Sequence, residues 1–148
     1  MTIFHGLNNS ASALTTQRLR MDVISSNMAN VDTTRGEYVD GKWEPYKRKM
    51  VVTQANEGQF TNFLSKAMNN NVGNGVKVTK IEEDNTPTKL VFNPEHPDAN
   101  EDGYVEMPNV DPLKEMVDLI SATRSYEANV TVFNASKGLL MKSLEIGK

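Results

Sequence analysis

The segment from Asp111 to Ile146 most strongly limits what this 148-residue chain can fold into. Largely apolar side chains recur in it at alternating spacings of three and four, which is the heptad pattern of a coiled coil. At 1.5 Å per residue, a helix of this length measures about 50 Å, which is too long for a small globular domain. We therefore expect the helix to project and its apolar seam to meet another helix. The two sets of seam positions are Met116, Thr123, Val130, Lys137 and Leu144, and Leu119, Tyr126, Phe133 and Leu140.

A capping signal marks where this helix begins. The Asp111 carboxylate can accept hydrogen bonds from the free N–H groups of the first turn. Pro112 suits the first helical position because its missing N–H has no partner there in any case. The sequence thus predicts a helix from Pro112 to about Ile146.

A second amphipathic helix is predicted near the N-terminus, from Leu7 to about Asn30. This stretch contains no proline and no glycine. Its apolar residues recur every seven positions and form one stripe of a helix, although Arg18 interrupts it. The stripe residues are Leu7, Leu14, Met21 and Met28.

Residues 31–110 have a different character, since they hold most of the glycines and all but one of the prolines. Short β-prone runs occupy 49–53, 76–81 and 89–92, and turn sequences such as Asp40-Gly41 and Asn93-Pro94 separate them. The pattern predicts a small β-rich unit. Residues 60–68 fit either a short helix or a linker.

The predicted fold class is therefore α+β, with long terminal helices paired as a coiled-coil-like hairpin around a small β-rich insert. Residues 1–32 and 109–148 are predicted to form a discontinuous helical domain, and 33–108 a middle domain. Pairing within one chain covers only one stripe of each helix. Apolar residues off the seam indicate packing in a larger array, and they are Leu19, Leu113, Val117, Ile120 and Leu139.

Composition excludes several classes of protein. A net charge of −3 does not fit the basic surface of a nucleic-acid-binding protein. The absence of cysteine excludes disulfides and thiolate chemistry. No apolar run approaches the roughly 20 residues that span a bilayer. The N-terminus lacks the basic and apolar regions of a secretory signal, so we expect export, if it occurs, without cleavage.

Catalytic and metal sites are not predicted, and no cofactor is implied. Residues 98–103 resemble part of a calcium-binding loop, but Asn109 stands where its bidentate glutamate belongs. The histidines His5 and His96 have no nucleophile or ligand at a suitable spacing. The basic and aromatic run 43–49 is interpreted as an edge strand kept soluble by its charges rather than as a single-strand nucleic-acid site. A third alternative is that this run contacts an acidic patch on a neighbouring chain.

Three motifs carry a family resemblance. Residues 26–34, Ser-Asn-Met-Ala-Asn-Val-Asp-Thr-Thr, are followed by Gly36 and Tyr38, and this resembles the signature of the flagellar axial proteins. Residues 103–111, Gly-Tyr-Val-Glu-Met-Pro-Asn-Val-Asp, and 125–130, Ser-Tyr-Glu-Ala-Asn-Val, are similar to the proximal branch of the bacterial flagellar basal-body rod protein family.

The resemblance implies a non-enzymatic subunit of the flagellar proximal rod. Such a subunit would polymerise through its terminal helices into a tubular assembly that transmits torque, outside the cytoplasmic membrane. Its partners would be other rod proteins and copies of itself, without nucleic acid, small-molecule substrate or membrane insertion. The alternatives are a coiled-coil adaptor that binds one protein and, as a more distant third, an enzyme.

The predicted helix-pairing and assembly residues combine the two apolar patterns with two asparagines of the signature. Asn27 and Asn30 lie three apart, so they share a helical face and either terminate the helix or contact a neighbouring chain. The full predicted set is Leu7, Leu14, Met21, Met28, Asn27, Asn30, Met116, Leu119, Tyr126, Val130, Phe133, Leu140 and Leu144.

Overall fold

The structure is a computed structural model that describes residues 4–56 and 75–146. The described part contains two long helices and short antiparallel strands, which confirms the predicted α+β class. In chain order the elements are α1 (His5–Ala29), β1 (Glu37–Val39), β2 (Lys42–Glu44), β3 (Lys49–Ala55), β4 (Val76–Glu83), β5 (Lys89–Phe92), β6 (Tyr104–Met107) and α2 (Pro112–Ile146).

The ends of both helices follow from local chemistry. The Leu113 N–H donates to Asp111 Oδ1 at 3.0 Å, so the predicted cap and the start at Pro112 are confirmed. Helix α1 ends at Ala29, and Asn30 Nδ2 then donates to the Ser26 carbonyl oxygen at 2.8 Å. Within the described ranges, neither helix has a stretch long and apolar enough to cross a membrane.

The strands form three separate two-stranded sheets, β1–β2, β3–β4 and β5–β6. Strands β3, β4 and β5 coincide with the three predicted runs, which are thereby confirmed. Strands β1 and β6 were not predicted, and β2 overlaps only the start of run 43–49, which was interpreted as an edge strand. The segment 60–68, for which a helix or a linker was considered, lies outside the described residues.

A tight turn joins β1 to β2. Asp40 and Gly41 both have positive φ, 49° and 85°, as a type I′ hairpin turn requires. An Asp-Gly pair supplies this geometry at little steric cost. The turn sets the register in which Tyr38 lies opposite Trp43, and their rings pack with centroids 5.1 Å apart.

The chain divides into two compact units, and each helix contributes to both. The first consists of Met1–Leu19, Val52–Lys80 and Ser121–Lys148. Among its described residues the buried positions are small or polar, namely Ser10, Thr16 and Ala122. Gly75, with φ 89°, packs so closely on α1 that a Cβ there would meet Ser12 Oγ. This unit therefore has a thin core.

The second unit consists of Arg20–Val51 and Ile81–Ile120. Its core combines apolar residues of α1 with others from β6 and the segment that precedes α2. It also buries two polar side chains, Asn27 and Glu115. The buried apolar residues include Val23, Ile24, Val105, Pro108 and Val110.

Candidate assembly interface

A buried polar cluster lies at the centre of the second unit. Glu115, on the first turn of α2, has no solvent exposure. Its Oε1 accepts a hydrogen bond from Arg48 Nε at 2.6 Å, and its Oε2 accepts one from Asn27 Nδ2 at 3.1 Å. The cluster of Asn27, Arg48 and Glu115, called the Glu115 cluster below, therefore ties α1, the residue that precedes β3, and α2 together.

Arg48 is the cationic centre of this cluster. Its side chain is 11% exposed and also approaches the carboxylates of Asp84 (3.6 Å) and Asp118 (3.5 Å). Burial alone would lower the pKa of Arg48, but the hydrogen bond and charge of Glu115 outweigh it and raise that pKa. The guanidinium is thus held charged inside the unit. The interpretation of 43–49 as a strand made soluble by exposed charges is wrong for Arg48, because its guanidinium is largely buried and pairs with carboxylates of the same unit.

Asn27 uses its whole hydrogen-bonding capacity within the unit. Its Nδ2 also donates to the Lys49 carbonyl oxygen at 2.9 Å. Its Oδ1 accepts from the Lys49 N–H at 2.9 Å and from the Tyr46 hydroxyl at 3.0 Å. An asparagine side chain offers two donors and one acceptor oxygen, and all are engaged here. Asn27 is therefore an internal connector of α1 to β3.

The structure places the other predicted residues of α1 in two environments. Asn30 caps the C-terminal end of α1, which is one of the two roles considered for it. The stripe residues are half-buried rather than buried, and the most buried apolar positions on α1 are Val23 and Ile24. The half-buried stripe consists of Leu7, Leu14, Met21 and Met28.

The solvent exposure of the predicted seam residues also varies along α2. Met116 and Leu144, near the two ends of the helix, are exposed. The apolar seam residues between them are half-buried, namely Leu119, Tyr126, Val130, Phe133 and Leu140. Complete burial on this face is reached at Ala122, which the heptad did not single out. The seam thus retains apolar area that another chain can cover.

A second apolar face on α2, which shares Met116 with the seam, is exposed. Leu113 is 74% exposed, Val117 66% and Ile120 60%. With Met116 they follow the spacing i, i+3, i+4 and i+7, which places them on one side of the helix. We call Leu113, Met116, Val117 and Ile120 the α2 stripe.

The second unit also contains a groove beside the β1–β2 hairpin. It has a volume of about 800 Å³ and is lined by residues of the hairpin, of the loop 98–100 and of β6. Trp43, 54% exposed, and Tyr104 contribute aromatic surface. We call this feature the hairpin groove. Sequence reasoning missed it, although the Asp40-Gly41 turn marked the position of the hairpin.

The loop that resembles a calcium site forms internal bonds. The Asp98 carboxylate accepts hydrogen bonds from Arg35 Nε at 2.8 Å and from Thr34 Oγ1 at 2.7 Å. No group of three or more metal-ligating side chains occurs in the described ranges 4–56 and 75–146. Asp98 therefore connects the loop to the segment that follows α1.

The stability of the protein should depend on pH through Asp98. Hydrogen bonds from Arg35 and then Thr34 lower the pKa of this carboxyl below its ordinary value. A carboxyl with a lowered folded-state pKa stabilises the fold above its unfolded pKa of about 3.9, and this contribution is lost as the pH falls toward the folded pKa. We expect urea unfolding to show wild type more stable than Asp98→Asn at pH 7, with the difference shrinking below about pH 4.

A matched background tests the cause of that pH dependence. In Arg35→Met protein, the difference between Asp98 and Asp98→Asn should vary much less with pH, because the largest source of the pKa shift is absent. An unchanged pH dependence in that background would contradict the role given to Arg35.

Comparison with known proteins identifies relatives along the whole chain. A family model described as "Flagella basal body rod protein" matches residues 7–35, and one described as "Flagellar basal body rod FlgEFG protein C-terminal" matches residues 101–146. The flagellar basal-body rod protein FlgC of Bacillus subtilis is 63% identical over 150 aligned positions, with all of both chains covered. This chain belongs to the FlgC family of flagellar basal-body rod proteins.

More distant FlgC proteins also align over nearly the whole of both chains. The Borreliella burgdorferi protein is 44% identical, with 99% of this chain and 98% of the relative covered. The Salmonella typhimurium protein is 41% identical, with full coverage of both. The family resemblance predicted from the motifs at 26–38, 103–111 and 125–130 is therefore confirmed.

Proposed function

We propose that the chain is a structural subunit of the rod in the bacterial flagellar basal body and that it acts by assembly rather than by catalysis. The observation that carries this proposal is its similarity, over its full length, to rod proteins named FlgC. A second observation fits the same role. The α2 stripe leaves large apolar side chains in water, and burial of such surface stabilises contacts between chains by about 25 cal/mol per Å².

The terminal helices are proposed to form the part of the subunit that polymerises. In the second unit, α1 and α2 are joined by the Asn27–Glu115 hydrogen bond and by an Arg20–Asp118 ion pair of 3.4 Å. In the first unit, a Cβ added at Gly6 would lie 4.0 Å from Ser136 Oγ. Early α1 thus meets late α2 and late α1 meets early α2, which supports the antiparallel coiled-coil-like hairpin.

From this pairing we assign a different role in assembly to each of the two proposed domains. Residues 1–32 and 109–148 form the helical domain of a tubular assembly, and 33–108 form the β-rich domain that makes lateral contacts. Head-to-tail contacts that do not close into a ring generate a helical filament. Many such contacts make a stiff rod that can transmit torque.

Location and partners follow from the same proposal. The subunit belongs in the proximal rod, outside the cytoplasmic membrane. Its partners are other rod proteins and copies of itself. The alternative of a coiled-coil adaptor for a single protein has no support in the comparisons, which match rod proteins from end to end.

Complementation tests this function. We expect the chain, expressed in a motile bacterium that lacks its own FlgC, to restore swimming and to copurify with isolated basal bodies. The control is the same strain with an empty vector. A chain that is folded and exported, yet absent from basal bodies in a strain that remains non-motile, would contradict the proposal.

A further inference from the structure

The α2 stripe is an apolar surface with a basic edge. Its three most exposed members, Leu113, Val117 and Ile120, lie within two turns of helix. Lys114 is exposed beside them. Glu115 is buried against Arg48, and Asp118, whose side chain is 31% exposed, pairs with the same guanidinium. Lys114 therefore supplies an exposed positive charge at the edge of the stripe.

The hairpin groove has chemistry that complements the α2 stripe, because it combines aromatic surface with acidic side chains. Aromatic surface from Trp43 and Tyr104 lies among four acidic residues and one lysine, Lys42. Two of the acids already have partners, because Arg35 pairs with Asp98 and Lys47 pairs with Glu44 at 2.8 Å. The other two, Asp40 and Glu106, outnumber Lys42, so the groove keeps a negative balance.

The two surfaces also agree in size and are separate from each other. Leu113 to Ile120 rises about 10 Å along the helix axis. A groove of about 800 Å³ has room for the apolar side chains of two such turns. No residue of α2 lines the groove, so one copy of the chain presents both surfaces at once.

We propose that the α2 stripe of one copy docks in the hairpin groove of a second copy. This inference rests on the proposed assembly function and assigns a specific contact to it. Trp43 and Tyr104 cover the apolar side chains, and Lys114 faces Asp40 and Glu106. Because the contact joins two different surfaces, it is head-to-tail, and each added copy leaves a free stripe at one end and a free groove at the other.

Photo-cross-linking in intact basal bodies tests the contact. We place p-benzoylphenylalanine at position 117 of the complementing chain and, as a control, at position 132, where Val132 is likewise exposed on α2. Irradiation should yield a covalent dimer from position 117, and mass spectrometry should find the cross-link in 37–45 or 98–107 of the second copy. Differently tagged copies distinguish this product from a cross-link within one chain.

Charge reversal tests the electrostatic part. Lys114→Glu and Glu106→Lys should each lower the dimer yield from position 117 by about tenfold, because each places like charges in contact. The double variant should recover most of the yield. Glu101→Lys makes the same change in net charge as Glu106→Lys at a residue that does not line the groove, and it should leave the yield unchanged. Circular dichroism of each variant checks that the fold is retained.

The outcomes separate this inference from the function on which it rests. A wild-type chain that is folded and exported, yet absent from basal bodies, overturns the proposed function. A chain present there, but cross-linked from position 117 to another protein or outside the groove, overturns only the docking of a second copy. The same holds if a dimer forms equally from position 132, or if the double variant yields no more than the single ones.

Discussion

Arg48→Met should lower the free energy of unfolding by about 3–5 kcal/mol, since removing one partner of a buried ion pair leaves the other charge uncompensated. Glu115 has no solvent exposure, and Asn27 would be its remaining hydrogen-bond partner within the cluster. Arg48 is the single cation of the Glu115 cluster, so no other member of the cluster replaces its positive charge. Urea denaturation followed by circular dichroism measures the change.

A second substitution separates the buried charge from the lost packing. Arg48→Met combined with Glu115→Gln should be more stable than Arg48→Met alone, because the amide is neutral and still accepts from Asn27. Equal stability of the single and double variants would mean that the cost of Arg48→Met lies in packing.

The matched control is Arg35→Met. Arg35 pairs with Asp98, but its side chain is 55% exposed. Ion pairs at such positions contribute about 0–1 kcal/mol, so this variant should stay close to wild type. A loss as large as that of Arg48→Met would contradict the distinction between buried and exposed pairs.

The helices were predictable from sequence because their signals are local. The heptad of α2 and the Asp111-Pro112 start act over a few residues, and the observed helix begins where they indicate. The three β-prone runs were predictable for the same reason. Strands β1 and β2 have three residues each, which is too short for an alternating pattern to stand out.

The Glu115 cluster could not be predicted in the same way. Arg48 and Glu115 are 67 positions apart, and each resembles an ordinary exposed residue in its local sequence. Only the tertiary fold brings them together. The Asn27 signal was visible in the family signature, but its partners Lys49 and Tyr46 come from a strand and a loop whose placement the pattern did not fix.

Asn27→Leu should therefore be among the most damaging substitutions in the signature, with an expected loss of about 2–5 kcal/mol. Leucine has a similar volume but cannot hydrogen-bond. The N–H and C=O of Lys49, the Tyr46 hydroxyl and one Glu115 oxygen would each lose a partner, in a buried setting at Glu115 and a part-buried one at the others. Chemical denaturation of the isolated subunit measures this loss directly.

Asn30→Leu is the control, because it removes the same amide from the same motif three residues later. Asn30 Nδ2 donates to the Ser26 carbonyl oxygen at an exposed helix end, where water can take its place. We expect a loss of about 1 kcal/mol or less. If the two variants were equally destabilised, Asn27 would be acting only as part of the helix terminus. A larger loss at Asn27 instead establishes that the signature asparagine joins α1 to β3 and α2 before any second chain binds.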